Sequence, residues 1–591
     1  MTTTIGKFFI FLSILSGLLH IIPSTISNTQ VVLLLRYLPS SPFKISLRCS
    51  KLGFLLELIK AILLSRSRWY FYLQTVCIIS ATLSLLYAFI TNDFSVENVL
   101  FYSSTTQPLI YKIAALWGNH DASLLFLITL LALVSYISSL YIKEDISIKI
   151  MSIIITVMMM IVYYTSNPFV NIPNAPHEGL GMNPVLQDMA IAIHPPMLYL
   201  GYVTYIIPYA CFLAILLSGK QHDLALAYQA SKVALGFLTS GIALGSWWAY
   251  RELGWGGYWF FDPVENISLI PWLIGIALHH SFMVTMRNGT LLPFTIGLGI
   301  TNFLLILFGI LLVRSGMLVS VHSFASGIVG WKYIIGAFAT LVVVSITIYL
   351  RSLKNIASKS YSFIEVSITS GNAVILGATI CLMIGTFFPL IYQLINGINI
   401  SLSNEYFYYI FIPLMLIAVA MAVIIPHLKS GFKFALNIKN TAMIFSHTGI
   451  VILSVGIGLN TLLKQDIEFI GKVGSVVQYE NISISLKNIK YSEGLNYYRQ
   501  IGEFWIEHNN ETVILRPENR LYKIENAISA ESDIYSFVTE DIYVVLGSLE
   551  DDGTLHANIY IRPWMSLIWL GMFLTAVGVF LSKAKISHKF C

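Results

Sequence analysis

The sequence predicts an all-α polytopic membrane protein of about 13 transmembrane helices, with a small β-rich domain near the C-terminus. Composition points first to a membrane. The 591 residues are 56% hydrophobic and 11% charged, with a mean hydropathy of +0.75. A water-soluble chain of this length needs far more charge to cover its surface. Second, apolar runs of about 18 or more residues recur, each long enough to cross a ~30 Å hydrocarbon core. They lie near 5–23, 69–90, 122–142, 147–165, 196–218, 231–249, 267–286, 293–313, 331–350, 371–390, 406–425, 441–463 and 563–582. Third, one polar stretch, about 464–561, alternates apolar and polar residues as strands do, in Asn481-Ile-Ser-Ile-Ser-Leu, Glu503-Phe-Trp-Ile-Glu and Asp541-Ile-Tyr-Val-Val-Leu. Asp551-Asp552-Gly553 suits a hairpin turn leading into Ala557-Asn-Ile-Tyr-Ile.

Cations set the orientation. Arg36, Lys44, Arg48, Lys51, Lys60, Arg66, Arg68, Lys143, Lys149, Lys220, Arg287, Arg351, Lys354, Lys359, Lys429, Lys433, Lys439, Lys583, Lys585 and Lys589 all fall on one side, here called N. The short loops on the other side, P, carry little beyond Lys112, Arg251 and Arg314. The N side is cytoplasm or matrix, and the P side is periplasm or intermembrane space. The 464–561 domain faces P. Net charge of +5 therefore reflects membrane topology, and no nucleic-acid partner is expected.

Four regions follow: a first span and basic N-side segment (1–68), a transmembrane core (69–463), the β-rich domain (464–561), and a final span with a basic tail (562–591). Residues 1–23 read as an uncleaved span, because the basic stretch 36–68 follows it. Apolar pieces near 30–35 and 52–64 are too short and too basic to span, and suit the N-side interface. The five cysteines (Cys49, Cys77, Cys211, Cys381, Cys591) form no C-x-x-C and no C-x-x-C-H. This argues against a dithiol centre or a covalently attached haem in the chain itself.

The core contains Gly245-Ser-Trp-Trp-Ala-Tyr-Arg-Glu-Leu-Gly-Trp-Gly-Gly-Tyr-Trp-Phe-Phe-Asp-Pro-Val-Glu-Asn-Ile267. Trp247, Trp248, Trp255 and Trp259 in one P-side loop read as a flat aromatic platform for a planar π-system. Gly254, Gly256 and Gly257 would let another surface approach the backbone. An ordinary interfacial aromatic belt fits two tryptophans better than four.

Histidines within spans are functional by default. His280 lies about thirteen residues into its span from the P side, roughly 20 Å deep. His447 enters from the N side and reaches roughly 21 Å below the P surface. Imidazoles out of water favour the neutral, metal-binding form. Two at one depth suit the axial positions of a b-type haem. His279 competes with His280, but neighbouring helical residues point about 100° apart. The competing reading is two unrelated polar residues bonded to backbone carbonyls. A second pair lies at the P surface: His194 in His194-Pro195-Pro196, and His322 in Val313-Arg-Ser-Gly-Met-Leu-Val-Ser-Val-His-Ser-Phe324. Both would flank the aromatic loop as axial ligands of a planar metal macrocycle. His120, in Trp117-Gly-Asn-His-Asp121, is also on the P side without a clear role.

These residues resemble the haem-handling membrane proteins with a tryptophan-rich "WWD" domain, and more closely the cytochrome c maturation factor F (CcmF) family. The likeness extends through Thr91-Asn-Asp-Phe-Ser95, Tyr111–Leu124, Ser166-Asn-Pro-Phe169, Asn183-Pro-Val-Leu-Gln-Asp188, His194–Tyr202, 245–272 and 312–325. It implies a cytochrome c haem lyase, which joins haem vinyl groups to the CxxCH thiols of an apocytochrome. By similarity His194 and His322 would hold the incoming haem over Trp248, Trp255, Trp259 and Asp262. His280 and His447 would hold a resident haem b. Implied partners are a haem chaperone, a thiol-handling subunit, apocytochrome c and membrane lipid, in a bacterial inner or mitochondrial inner membrane. No general acid or base stands out. Asp262 and Glu265 either steer a haem propionate or the polypeptide, or cap the following helix.

The chain departs from that family at Asn119 and Asp121-Ala122, where a glycine and a Glu-Gly pair are usual. It also lacks two spans expected between 406–425 and 441–463, and matches poorly over its first 65 residues. A rival reading is a haem transporter or chaperone-assembly subunit without ligation activity, which predicts no buried histidine pair. A secondary transporter would need buried carboxylates or lysines, of which the central spans show almost none.

Overall fold

The computed structural model describes residues 1–21, 68–318, 320, 331–353, 362–398, 400–430, 441–480, 482–508 and 511–582. His322, the segments near 30–35 and 52–64, the basic positions at 354, 359, 433 and 439, and the tail beyond 582 lie outside these residues.

In chain order the helices are α1 (Thr2–Ile21), α2 (Trp69–Ile90), α3 (Glu97–Tyr102), α4 (Leu109–Ala114), α5 (His120–Ser139), α6 (Asp145–Thr165), α7 (Met189–Thr204) and α8 (Ile206–Ser218). Then come α9 (Leu224–Glu252), α10 (Pro263–Asn288), α11 (Leu292–Arg314), α12 (Trp331–Leu353), α13 (Phe363–Asn396), α14 (Asn404–Ser430) and α15 (Thr441–Leu463). Ten strands follow, then α16 (Met565–Leu581). Among the described residues 12 helices are long and apolar enough to cross a membrane, with α7 and α8 counted as one 30-residue span. The shorter apolar α16 accompanies them, in agreement with the about thirteen spans that the apolar runs predict.

Small residues let these helices pack without a hydrophobic drive between them. Gly17 of α1 clears Gln74 of α2 and Thr156 of α6. There Gln74 donates to Thr156 Oγ1 (2.8 Å) and accepts from Ser152 (3.0 Å), so buried amides and hydroxyls satisfy one another. A Cβ on Gly571 of α16 would lie 2.5 Å from the Leu453 nitrogen of α15, and one on Gly449 of α15 would lie 2.6 Å from the Thr575 nitrogen.

The β domain is a two-sheet sandwich. One sheet runs β1 (Gln465–Gly471), β10 (Leu555–Pro563), β9 (Glu540–Leu549), β8 (Asp533–Ser536). The other runs β2 (Val476–Tyr479), β3 (Ile482–Glu493), β4 (Tyr497–His508), β6 (Glu518–Tyr522), β7 (Ile528–Glu531), with β5 (Glu511–Leu515) also on β4. All pairings are antiparallel. Alternate residues such as Ile484, Leu486, Phe504, Ile506, Val544 and Ile559 fill the space between the sheets. The β9–β10 turn is the expected one: Gly553 takes φ +85°, and Asp552 accepts from the Thr554 amide (2.9 Å).

Gly571→Ala should lower the thermal midpoint of the detergent-solubilised protein, an overpacking cost of about 1–3 kcal/mol. Gly458→Ala on α15, where a Cβ meets nothing within 4 Å, should leave the midpoint unchanged or raise it by up to about 1 kcal/mol of stability. Thermal unfolding followed by fluorescence-detected size exclusion checks both.

Candidate functional site

Helix α7 carries two successive prolines, Pro195 and Pro196, which cannot donate the helical bonds to Ile191 and Ala192. The Ile191 carbonyl is taken instead by the indole Nε1 of Trp117 (2.9 Å). Trp117 also packs on Phe126, and Phe126 on Tyr199, so the entry to α5 is pinned against α7. Asp188 caps α7 by accepting from the Ala190 amide (2.7 Å), and its second oxygen accepts from Arg251 at the end of α9 (3.2 Å).

His194 lies between these helices. Its Nδ1 is 2.8 Å from the Gly241 carbonyl of α9. A carbonyl only accepts, so Nδ1 carries the hydrogen and the lone pair sits on Nε2, the arrangement of a ligating histidine. A Cβ on Gly245 would stand 2.6 Å from His194 Cε1. Gly241 and Gly245, one turn apart, form the bed on which the imidazole rests.

The tryptophan-rich segment is not a flat platform. Trp248 is 2% exposed, in the core at the end of α9. Trp247 carries the Arg251 guanidinium 4.9 Å above its ring. Trp255 is 46% exposed and meets Phe260 edge-on at 82°; Trp259 meets Phe261 edge-on at 89°. Edge-to-face pairing satisfies the ring quadrupoles, which a common plane would not. Phe261 adopts φ +52° and stacks on Phe407 of α14 at 4.5 Å, a costly backbone conformation held by that contact.

The surface that approaches the loop glycines is the β domain. A Cβ on Gly256 would meet Tyr560 at 2.4 Å, and one on Gly254 would meet Val545 at 3.3 Å. Arg562 donates to the Gly256 carbonyl, lies over Tyr560 and pairs with Asp466. Ser532 donates to the Arg251 carbonyl (2.7 Å) and Tyr250 to Asp541 (3.0 Å). Burial lifts the Asp541 carboxyl above its usual range, against hydrogen bonds from Ser536 and Tyr250.

Asp262 and Glu265 act as a capping box for α10. Asp262 accepts from the Val264 amide (2.9 Å), and Glu265 accepts from the amides of Phe260 (2.9 Å) and Asp262 (3.2 Å). Asp262 also accepts from Ser320 (2.6 Å), which brings the chain two residues before His322 to the end of the loop.

Deeper in α10, His280 faces His447 of α15, with ring centroids 6.4 Å apart and planes at 82°. His279 stacks instead on Tyr228 of α9, at 5.9 Å and 26°. Asn372 of α13 donates to the Ala277 carbonyl (3.0 Å), fixing α10 one turn before His280. Trp117, Arg314, Ser320 and the Gly241/Gly245 pair were not singled out by sequence reading. The signal for Trp117 was the unbonded carbonyl that every helical proline leaves four residues back.

Comparison with known proteins yields two family models. One, described as Cytochrome C assembly protein, matches residues 117–318, and the other, CcmF C-terminal beta-sandwich, matches 463–563. The cytochrome c-type biogenesis protein CcmF of Pseudomonas fluorescens is 31% identical over 572 residues, covering 84% of this chain and 86% of that protein. CcmF of Escherichia coli K12 is 29% identical, covering 87% and 91%. The biogenesis protein NrfE of Haemophilus influenzae is 28% identical, covering 88% and 93%. A solved structure titled Cytochrome c Heme Lyase CcmF shares the fold, with a TM-score of 0.74 at 16% identity over 98% of each chain. Over most of its length, then, this chain belongs to the CcmF family of cytochrome c-type biogenesis proteins.

Proposed function

We propose that this protein receives haem at the P-side mouth, on His194 and His322 beside Trp255, Trp259 and Asp262, and joins it to the CxxCH thiols of apocytochrome c. Family membership makes it an integral inner-membrane haem lyase of cytochrome c biogenesis. Apocytochrome c and other maturation components are its partners; a haem chaperone and a thiol-handling subunit are the ones proposed. The chain's own part is positioning. The glycine bed holds the His194 imidazole in one tautomer, and the β domain locks the loop that carries the exposed Trp255. Trp248 serves by packing from within.

His280 and His447 would hold a resident haem b, whose iron would supply electrons to the incoming haem. Two imidazoles on one metal, each bonded at about 2 Å, place their centroids roughly 6 Å apart. The observed 6.4 Å and near-perpendicular planes fit that requirement. This pairing, across 167 residues of chain, is the observation that carries the reading.

A reduced-minus-oxidised spectrum of the purified protein should show a b-type signal, lost in both His280→Ala and His447→Ala and retained in His279→Ala. A signal indifferent to either of the first two substitutions contradicts the pairing. Gly245→Ala, which drives a methyl into the His194 ring, should weaken binding of added haem at least tenfold, as should His194→Ala; unchanged affinity refutes the role given to the glycine bed.

A further inference from the structure

We propose that His120, oriented by Asp121, is the base that takes the thiol proton during thioether formation; this rests on the ligation reading above. Helix α5 begins at His120 because Asn119 caps it, accepting from the Ala122 amide (3.0 Å) while its amide pairs with Asn98 (3.0 and 3.1 Å). The cap holds the first turn rigid. His120 Nδ1 lies 2.9 Å from Asp121 Oδ1. An ionised carboxylate only accepts, so Nδ1 carries the hydrogen and Nε2 the lone pair. Nε2 is buried and has no hydrogen-bond partner among the described residues. An orphaned buried acceptor is costly, and where it persists it marks a missing partner or a catalytic role. The ring is 14% exposed, so this nitrogen sits just beneath the P-side surface.

The surroundings hold the dyad in place. Arg314, 8% exposed at the end of α11, donates to the His120 carbonyl (2.6 Å) and to Ser123 (2.8 Å). Asp121 and Tyr199 lie close enough to act on the Arg314 charge. Three residues before His120, Trp117 holds Ile191, one turn from His194. His120 thus begins a helix tied to the one that carries His194.

The chemistry needs such a base. A cysteine thiol is mostly protonated near pH 7, and the thiolate is the nucleophile. In the proposed step Nε2 takes the proton from sulfur, and sulfur bonds to the inner carbon of the haem vinyl group. The same proton then passes from Nε2 to the terminal vinyl carbon. The S–H bond and the vinyl π-bond are lost, C–S and C–H bonds form, and no oxidant or reductant is consumed.

The test uses the purified full chain with reduced haem and a CxxCH peptide, following covalent attachment from pH 6 to pH 9.5 and the spectrum of bound haem. His120→Ala should bind haem with an unaltered spectrum and attach it about a hundredfold more slowly at pH 7. Added imidazole should recover part of the rate, and the two profiles should converge at high pH, where the thiolate forms unaided. Asp121→Asn should slow attachment at least tenfold. Attachment at the wild-type rate in His120→Ala, an altered haem spectrum, or a deficit that neither pH nor imidazole relieves would overturn the assignment. If the wild-type protein attaches no haem, the ligation reading fails and this assignment with it.

Discussion

The structure depends on how closely α7 lies against α9. A Cβ on Gly201 would stand 2.7 Å from the Leu238 nitrogen, and one on Gly241 would stand 2.7 Å from the Leu198 Cα. No side chain fits between the helices at either place. Because the backbones meet there, the Gly241 carbonyl is within reach of His194, and Asp188 is within reach of Arg251. The prolines that let α7 begin with an exposed carbonyl also let Trp117 tie in α5. Helix association in lipid gains little from hydrophobicity, so backbone proximity and side-chain hydrogen bonds carry specificity here.

From that contact the architecture extends outward to the β domain. The loop that α9 feeds is short of regular hydrogen bonding, and the domain supplies it through Arg562 to Gly256, Ser532 to Arg251 and Tyr250 to Asp541. Asn460 of α15 donates to the Pro563 carbonyl (2.8 Å), so the helix bearing His447 is anchored to the same domain. One domain therefore touches both the surface loop and the helix of the buried histidine pair.

Much of this was legible in the sequence, for identifiable reasons. Apolar run lengths follow from bilayer thickness, so the spans emerged nearly as they stand. Depth follows from helical rise, and that arithmetic alone brought His280 and His447 together across 167 residues. Strand alternation and Asp551-Asp552-Gly553 marked β9 and β10. What sequence could not show was which neighbour each residue would meet. The loop glycines signalled close approach, but the approaching surface is Tyr560 and Arg562 of the sandwich. Trp248 looked like part of a platform and is buried, because helix α9 continues to Glu252 and turns it inward. Asp262 and Glu265 were open between ligand and cap; hydrogen bonds show the cap, and the haem role of Asp262 rests on the proposal above. Short strands such as β7 and β8, four residues each, carry too little alternation to be read.

The most direct test is an electron cryo-microscopy map of the full-length protein in lipid nanodiscs after loading with haem. The account predicts two haems. One should have its iron about 2 Å from His194 Nε2 at the P-side mouth, and the other should lie between His280 and His447. Haem bound away from His194, or a continuous protein-filled space between His280 and His447, would contradict it.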